Sequence, residues 1–281
     1  MCSTGIALAG KGHGGYVALK SLQKEFDEIT LVSDDVDLIK TLRSADKIVN
    51  SLEDVESKYI VCASYMEIIP QNIINNKIII NTHPSLLPKY RGLHSLAWAM
   101  LNKEKKVGFT IHLMNEFIDD GDIIAQYEVN TGKKTSKELM ELFDKYVLEN
   151  LGDIVKRFIF GEIKPKPQKE SDASWCCKRN LNDCLIDFNS SFSDLEVLLR
   201  VLVSPYPHPI LKIKDEQYYV IDAKVTRERT KMHVGRIVNV KNSKVYIKAK
   251  DSILIVENLK HVFTGQEVEA IKLLRLGMRL C

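Results

Sequence analysis

The chain has 281 residues, 45% of them hydrophobic and 27% charged, which suits about two globular domains and excludes disordered and fibrous classes. Forty Lys and Arg against 37 Asp and Glu leave a net charge of +3, without the basic excess of a dedicated nucleic-acid binder. No apolar run approaches the roughly 20 residues of a membrane span, so no membrane partner is expected.

The N-terminus, Met1–Leu8, has neither the basic region nor the long apolar region of a secretory leader. Six cysteines, Cys176 and Cys177 adjacent, match neither a disulfide scaffold nor a zinc motif, so free thiols in a reducing cytoplasm are expected. Along the chain, Gly5–Ala9 reads as a strand and Val17, Leu19 and Leu22 as one face of a helix. Glu28–Val32, Lys58–Ala63 and Lys77–Asn81 read as further strands, β-branched and apolar on both faces as parallel strands are. A long helix over 136–160 opens on Thr135 and Glu138 at capping-box spacing. Gly161–Gln168, with two prolines, reads as a linker. A short helix is expected over 193–203, with Ser193 and Glu196 as its cap. Beyond Pro205-Tyr206-Pro207-His208-Pro209, the segments 210–214, 218–221, 236–241, 244–248 and 253–256 alternate as antiparallel strands, with a turn at Asp215–Gln217. The expected fold is α/β: a Rossmann-like open, mostly parallel sheet flanked by helices, then a small β-rich, OB-like C-terminal domain. The expected domains are 1–170 and 183–281, joined by a linker over 171–182.

Two stretches carry polar chemistry. Gly10-Lys11-Gly12-His13-Gly14-Gly15 follows the first strand as G-x-G-x-x-G, and Asp34 lies at the end of the second strand. That spacing fits a dinucleotide fingerprint, a plain strand-to-helix turn, or a loop lining another substrate's site. The second stretch, Asn81-Thr82-His83-Pro84-Ser85-Leu86-Leu87-Pro88-Lys89-Tyr90-Arg91-Gly92, emerges from a strand's C-terminal end, where open α/β sheets bind ligands. Asn81 and His83, two apart in extended chain, point the same way and form a donor pair suited to an oxyanion. Further on, Asp119, Asp120 and Asp122 surround Gly121. They fit turn and cap roles, Mg²⁺ ligation, or a carboxylate partner for a histidine, which would raise the pKa of His83.

In order, Asn-x-His, Ser-Leu-Leu-Pro-x-Tyr-Arg-Gly, Gly108-x-Thr110 and Ile118-Asp119-x-Gly121-Asp122 make the chain resemble the folate-dependent formyltransferase family. The resemblance implies Asn81, His83 and Asp119 as the catalytic trio, N10-formyltetrahydrofolate as formyl donor, and no metal. It also implies a folate site at Tyr65, Met66, Glu67, Ile68 and Ile69 on one side and Asn115, Glu116 and Phe117 on the other. Lys164–Gln168 and Ile186-Asp187-Phe188 look like the family's domain junction, and Ser204–Pro207, Val234–Ile237 and Leu276–Leu280 like the C-terminal domain of its tRNA and sugar enzymes.

A tRNA enzyme should carry a basic insertion after the second strand, because phosphate contacts dominate such binding. Here Ser33-Asp34-Asp35-Val36-Asp37 is short and acidic. The reading is therefore formyl transfer to a nucleotide-linked amino-deoxy sugar, a 4-amino-4,6-dideoxyhexose first, in O-antigen or glycan synthesis, by a cytoplasmic homodimer that binds no nucleic acid. Lys11, Gly12, His13, Lys89, Tyr90 and Arg91 are the candidate substrate contacts, with Arg91 equally a structural ion pair or loop brace. Methionyl-tRNA formylation, an NAD(P)-dependent oxidoreductase using Gly10–Gly15, and a catalytically degenerate sugar-nucleotide binding module are the alternatives. The intact trio disfavours the last.

Overall fold

A computed structural model describes residues 5–228 and 231–280. Part of the N-terminal stretch that argues against a leader, residues 1–4, lies outside the described residues, as do Cys2 and Cys281. In chain order the elements are β1 (Ile6–Gly10), α1 (Gly12–Leu22), β2 (Ile29–Val32), α2 (Val36–Ile39), β3 (Lys47–Val49), β4 (Tyr59–Ala63), α3 (Gln71–Asn76) and β5 (Ile78–His83). Then come β6 (Arg91–Gly92), α4 (Ser95–Leu101), β7 (Lys106–Leu113), β8 (Ile123–Asn130), α5 (Ser136–Ile159) and β9 (Trp175–Cys176). The main sheet runs β3-β2-β1-β4-β5-β7-β8, its first five strands parallel and the β7–β8 hairpin antiparallel. β1 and β4 are every residue buried or nearly so, as two-sided burial of parallel strands requires. The strand order reverses at β1 and β4, and the crevice beyond their C-terminal ends is the fold's natural ligand site.

The chain forms two compact units. The first contains the residues up to Ala99, Lys105–Thr131 and Leu139–Cys177, and the second Met100–Glu104, Gly132–Glu138 and the residues from Lys178 on. α5 is capped as its sequence requires: Thr135 Oγ1 accepts the Glu138 N–H, and Glu138 accepts the Thr135 N–H at 2.7 Å. Its apolar face buries Leu139, Phe143, Val147, Leu151 and Val155. Gly152 lets α5 lie against α1, since a Cβ there would stand 2.4 Å from the Ser21 carbonyl oxygen.

The second unit adds α6 (Phe192–Val201), β10 (Ile210–Ile213), β11 (Glu216–Val220), β12 (Ala223–Arg227), β13 (Ile237–Lys241), β14 (Lys244–Lys248), β15 (Ser252–Val256), β16 (Asn258–His261), β17 (Glu267–Glu269) and α7 (Ala270–Leu273). Its strands form two four-stranded sheets, β10-β11-β16-β17 and β12-β15-β14-β13, over a core that includes Leu195, Leu211, Ile247, Leu254 and Leu259. Two local expectations shift. The α6 cap is Ser191 with Asp194, two residues earlier than Ser193 with Glu196. The β10–β11 turn is Lys214–Asp215, where Lys214 takes a φ of 57° and lets Ile213 pair with Glu216.

The stretch that composition reads as a linker, 161–168, is held by the sheet. Lys166 and Ile123 exchange two backbone hydrogen bonds of 2.8 and 2.9 Å. Within 171–182, β9 pairs in parallel with β6, joining Arg91 to Trp175 and Gly92 to Cys176. Cys62, Cys176, Cys177 and Cys184 are free thiols. Among the described residues, no helix is long and apolar enough to cross a membrane.

Candidate active site

The site is assembled from strand register. β5 pairs with β7 so that Asn81 stands opposite His112 and His83 opposite Thr110. Alternation along each strand then puts all four side chains on one face. The loop after β5 is fixed from beneath by fully buried Thr110. Its hydroxyl donates to the Ser85 carbonyl at 2.6 Å and accepts the Leu87 N–H at 3.2 Å.

Asp119 enters from the turn after β7 with a φ of 50°. Its Oδ2 accepts the Gly92 N–H at 2.8 Å and lies 3.4 Å from His83 Nδ1. Its Oδ1 lies 3.4 Å from the Asn81 amide nitrogen and 3.6 Å from His112 Nε2. The Asn81 amide nitrogen is also 3.2 Å from His112 Nε2, while His112 Nδ1–H donates to the Leu113 carbonyl at 2.7 Å. The structure thus brings Asn81, His83 and Asp119 together, with His112 as a fourth member that the sequence reading missed. The signal was present: Gly108, Thr110 and His112 share one face of a strand by their spacing of two.

Burial pushes the Asp119 carboxyl up, but contact with His112, the facing His83 ring and the Gly92 N–H outweigh it and hold the carboxyl at about 2. His83 goes the other way from expectation. Burial lowers its pKa from 6.5 more than Asp119 and the Tyr90 carbonyl raise it. The imidazole is therefore neutral at pH 7. Its Nε2–H donates to the Tyr90 carbonyl at 2.9 Å, which leaves Nδ1 as the nitrogen that takes up a proton. An amide donor beside a neutral proton-accepting nitrogen suits addition of an amine to a carbonyl.

Of the expected folate residues, Met66 and Ile68 are exposed, and so are Glu116, Phe117 and Ile118. Tyr65 and Met114 pack on one buried cluster, which holds the two loops side by side. Ile69 belongs to that cluster, so its side chain is core. Asn115 shapes its own loop: it accepts the Phe117 N–H at 2.9 Å and donates to Asp120 at 3.1 Å. Glu67 accepts from the Tyr65 hydroxyl at 3.2 Å and pairs with Lys11 at 3.1 Å. Exposed apolar side chains on paired loops fit the flat ring of a pterin.

The candidate substrate residues divide. Lys11 pairs with Asp34 at 2.9 Å as well as with Glu67, and His13 with Asp144 at 3.0 Å. The Gly12 N–H donates to the Asp35 carboxylate at 2.7 Å, so a carboxylate holds the backbone donor that a pyrophosphate would need. Gly10 serves close packing, since a Cβ there would lie 2.6 Å from the Ala63 carbonyl oxygen. This glycine pattern is a packing turn, not a dinucleotide fingerprint. Lys89 is exposed, and Tyr90, at a φ of 60°, contributes its carbonyl to His83. Arg91 is 3% exposed and is a brace, not a substrate contact. Its guanidinium meets Asp120 at 2.6 Å and Glu170 at 3.0 Å, donates to Gln168 and stacks over Trp175. Asp120 is thereby committed, and among the described residues no group of three acidic, His or Cys side chains is arranged to hold a metal.

Residues 19–146 match the formyl transferase family and residues 179–268 its C-terminal domain. A methionyl-tRNA formyltransferase of Clostridium novyi is 29% identical over 261 residues, covering 92% of this chain and 82% of the relative. The N-formyltransferase of Helicobacter canadensis, solved with folinic acid and dTDP-3-aminofucose, shares the fold at a TM-score of 0.70 and 19% identity, over 94% of this chain and 99% of that one. HypX of Aquifex aeolicus superposes at 0.72 and 18% identity over 96% of this chain, which spans about half, 48%, of HypX.

Proposed function

The chain belongs to the formyl transferase family, and from that premise we propose that it moves the formyl group of N10-formyltetrahydrofolate to the amine of a nucleotide-linked amino-deoxy sugar. The observation that carries formyl transfer is the convergence of Asn81, neutral His83 and ionised Asp119 at the end of β5. The bound donor supplies an electrophilic formyl carbon. Tyr65–Ile69 and Asn115–Phe117 are the residues that would hold its ring. The Asn81 amide donates to a carbonyl oxygen gaining negative charge. His83 Nδ1 accepts the proton of the attacking amine, Asp119 stabilises the resulting imidazolium, and that proton goes to the donor nitrogen N10 as its bond to the formyl carbon breaks.

The choice of acceptor rests on the loop after β2. Asp34 and Asp35 are locked to Lys11 and the Gly12 N–H, and α2 begins at once with Val36. This edge offers phosphate groups carboxylates where an RNA-gripping insertion would offer lysines. The folinic acid and dTDP-aminosugar bound by the Helicobacter neighbour support the same reading. Cytoplasmic location and a homodimer are proposed with it, on family resemblance. A second reading, methionyl-tRNA formylation, is favoured by the names of the sequence relatives and by uneven charge. Residues 205–281 carry 15 Lys and Arg against 8 Asp and Glu.

The test is a panel of dTDP-, UDP- and GDP-linked 3-amino and 4-amino sugars, with initiator methionyl-tRNA alongside, each incubated with N10-formyltetrahydrofolate. A mass gain of one CO on a sugar nucleotide is the expected result, and formylation of the tRNA alone overturns the acceptor choice.

A further inference from the structure

Asp119 sits in a turn that is held partly by its own loop, through Asn115, and partly by a segment distant in sequence. Its φ of 50° is a left-handed conformation uncommon for a residue with a side chain, and such backbone persists only where the surroundings impose it. The turn is seated tightly against β7: a Cβ on Gly121 would stand 2.0 Å from the Leu113 carbonyl oxygen. The segment 161–168 reaches this turn through one side chain. Gln168 Nε2 donates to the Asp119 carbonyl and to the Gly121 carbonyl, each at 2.8 Å. Its Oε1 accepts from Arg91 Nε and Nη2 at 3.2 and 3.0 Å.

That arrangement fixes which end of the amide faces which partner. Arginine can only donate, and a backbone carbonyl can only accept, so the oxygen must face Arg91 and the nitrogen the turn. Arg91 is nearly fully buried and is held by Asp120 and Glu170 besides. It also adjoins Gly92, whose N–H grips the Asp119 carboxylate. The Asp119 backbone is thus held by Gln168 and its carboxylate by Gly92, and Arg91 adjoins both.

We propose that Gln168 is a positioning residue for formyl transfer, which clamps the Asp119–Gly121 turn through its two amide hydrogen bonds and so sets the Asp119 carboxylate against His83. The proposal rests on the formyl-transfer reading of the trio. Gln168 touches neither His83 nor a substrate position; it acts through Asp119.

Two substitutions separate this role from simple bracing of Arg91. Gln168→Met keeps the side-chain length and loses every hydrogen bond. Gln168→Glu keeps the acceptor for Arg91 but turns a carboxylate oxygen on the two carbonyls. Both variants should lose up to about 100-fold in kcat, as misplacing a reacting group by about 1 Å does, with KM for the folate within about twofold. Each added to Asp119→Asn should cost nothing further, because a residue acting only through Asp119 has nothing left to position. Wild-type kcat in Gln168→Glu overturns the proposal, as does a loss in the double variants equal to the product of the single losses.

Histidine NMR of the full chain decides the matter independently of the acceptor. The groups facing His83 are Asp119, His112 and the Tyr90 carbonyl; Asp119 and the Tyr90 carbonyl favour the imidazolium and His112 opposes it. The His83 midpoint should fall in Gln168→Met toward its value in Asp119→Asn, and not move again in the double variant. An unmoved midpoint in Gln168→Met overturns the proposal. A wild-type chain that formylates no acceptor but shows the expected NMR shifts would instead overturn the functional reading and leave the clamp standing.

Discussion

Replacing Asp119 by Asn removes one charge from the middle of the site and keeps the shape of the side chain. The carboxylate is 13% exposed, close to two imidazoles and bonded to the Gly92 N–H. Burial works against its ionisation, yet those contacts win and hold it at about 2 against an ordinary 3.8. A folded-state value below the unfolded one stabilises the fold above the unfolded pKa, and the contribution is lost as pH falls through the folded pKa. At about 1.4 kcal/mol per pH unit, the shift is worth about 2 kcal/mol at neutral pH, and about 1 kcal/mol of it is gone by pH 3. Both tryptophans, Trp98 and Trp175, lie in the unit that holds the site, so their fluorescence follows its unfolding. Urea unfolding of the wild type and of Asp119→Asn, from pH 7 to pH 3, should show the stability gap narrowing by about 1 kcal/mol. Parallel pH dependences would refute the reasoning, because they would mean the carboxylate is not held ionised by its neighbours.

Other consequences follow from the same geometry. Thr110→Val leaves the Leu87 N–H and the Ser85 carbonyl without their buried partner and should cost about 1–3 kcal/mol in denaturant unfolding. Gly92→Ala should lower Tm and activity together: Gly92 has a φ of 101°, and a Cβ there would stand 2.3 Å from the Cys176 carbonyl oxygen. Ile68→Ser, at a side chain 95% exposed, should leave Tm unchanged and weaken binding of 5-formyltetrahydrofolate in calorimetry. The acid limb of the kcat/KM profile should fall below pH 6.5, because burial favours neutral His83 and activity needs that form. A limb centred above pH 7 contradicts a neutral resting imidazole.

What could be read from the chain alone follows the range of the forces involved. Asn81 and His83 were legible because two residues at a strand end need only the strand's alternation to converge. The α5 cap was legible because Thr135 and Glu138 meet within one turn. Asp119 needed the family pattern, since nothing local says that a turn 38 residues after Asn81 folds back onto it. Arg91 read equally as a substrate contact and as a loop brace, because a charged residue in a loop is ordinarily exposed. Asp120, Gln168, Glu170 and Trp175 are tertiary partners that only the fold brings to it. Gly161–Gln168 read as a linker from its prolines, although Lys166 pairs with Ile123 of the sheet and Gln168 bonds the Asp119–Gly121 turn. The direction of the His83 shift was out of reach because it is a contest between burial and one carboxylate. The sequence names the carboxylate but not the burial.

Formyl transfer by Asn81, His83 and Asp119 is tested most directly by turnover of N10-formyltetrahydrofolate with the amino-sugar nucleotide panel, wild type against His83→Ala. Purified His83→Ala, folded by circular dichroism, should lose about 10²–10³-fold or more in turnover, the scale of losing one group that stabilises the developing charge. Near wild-type turnover in that variant would contradict the assignment of the site.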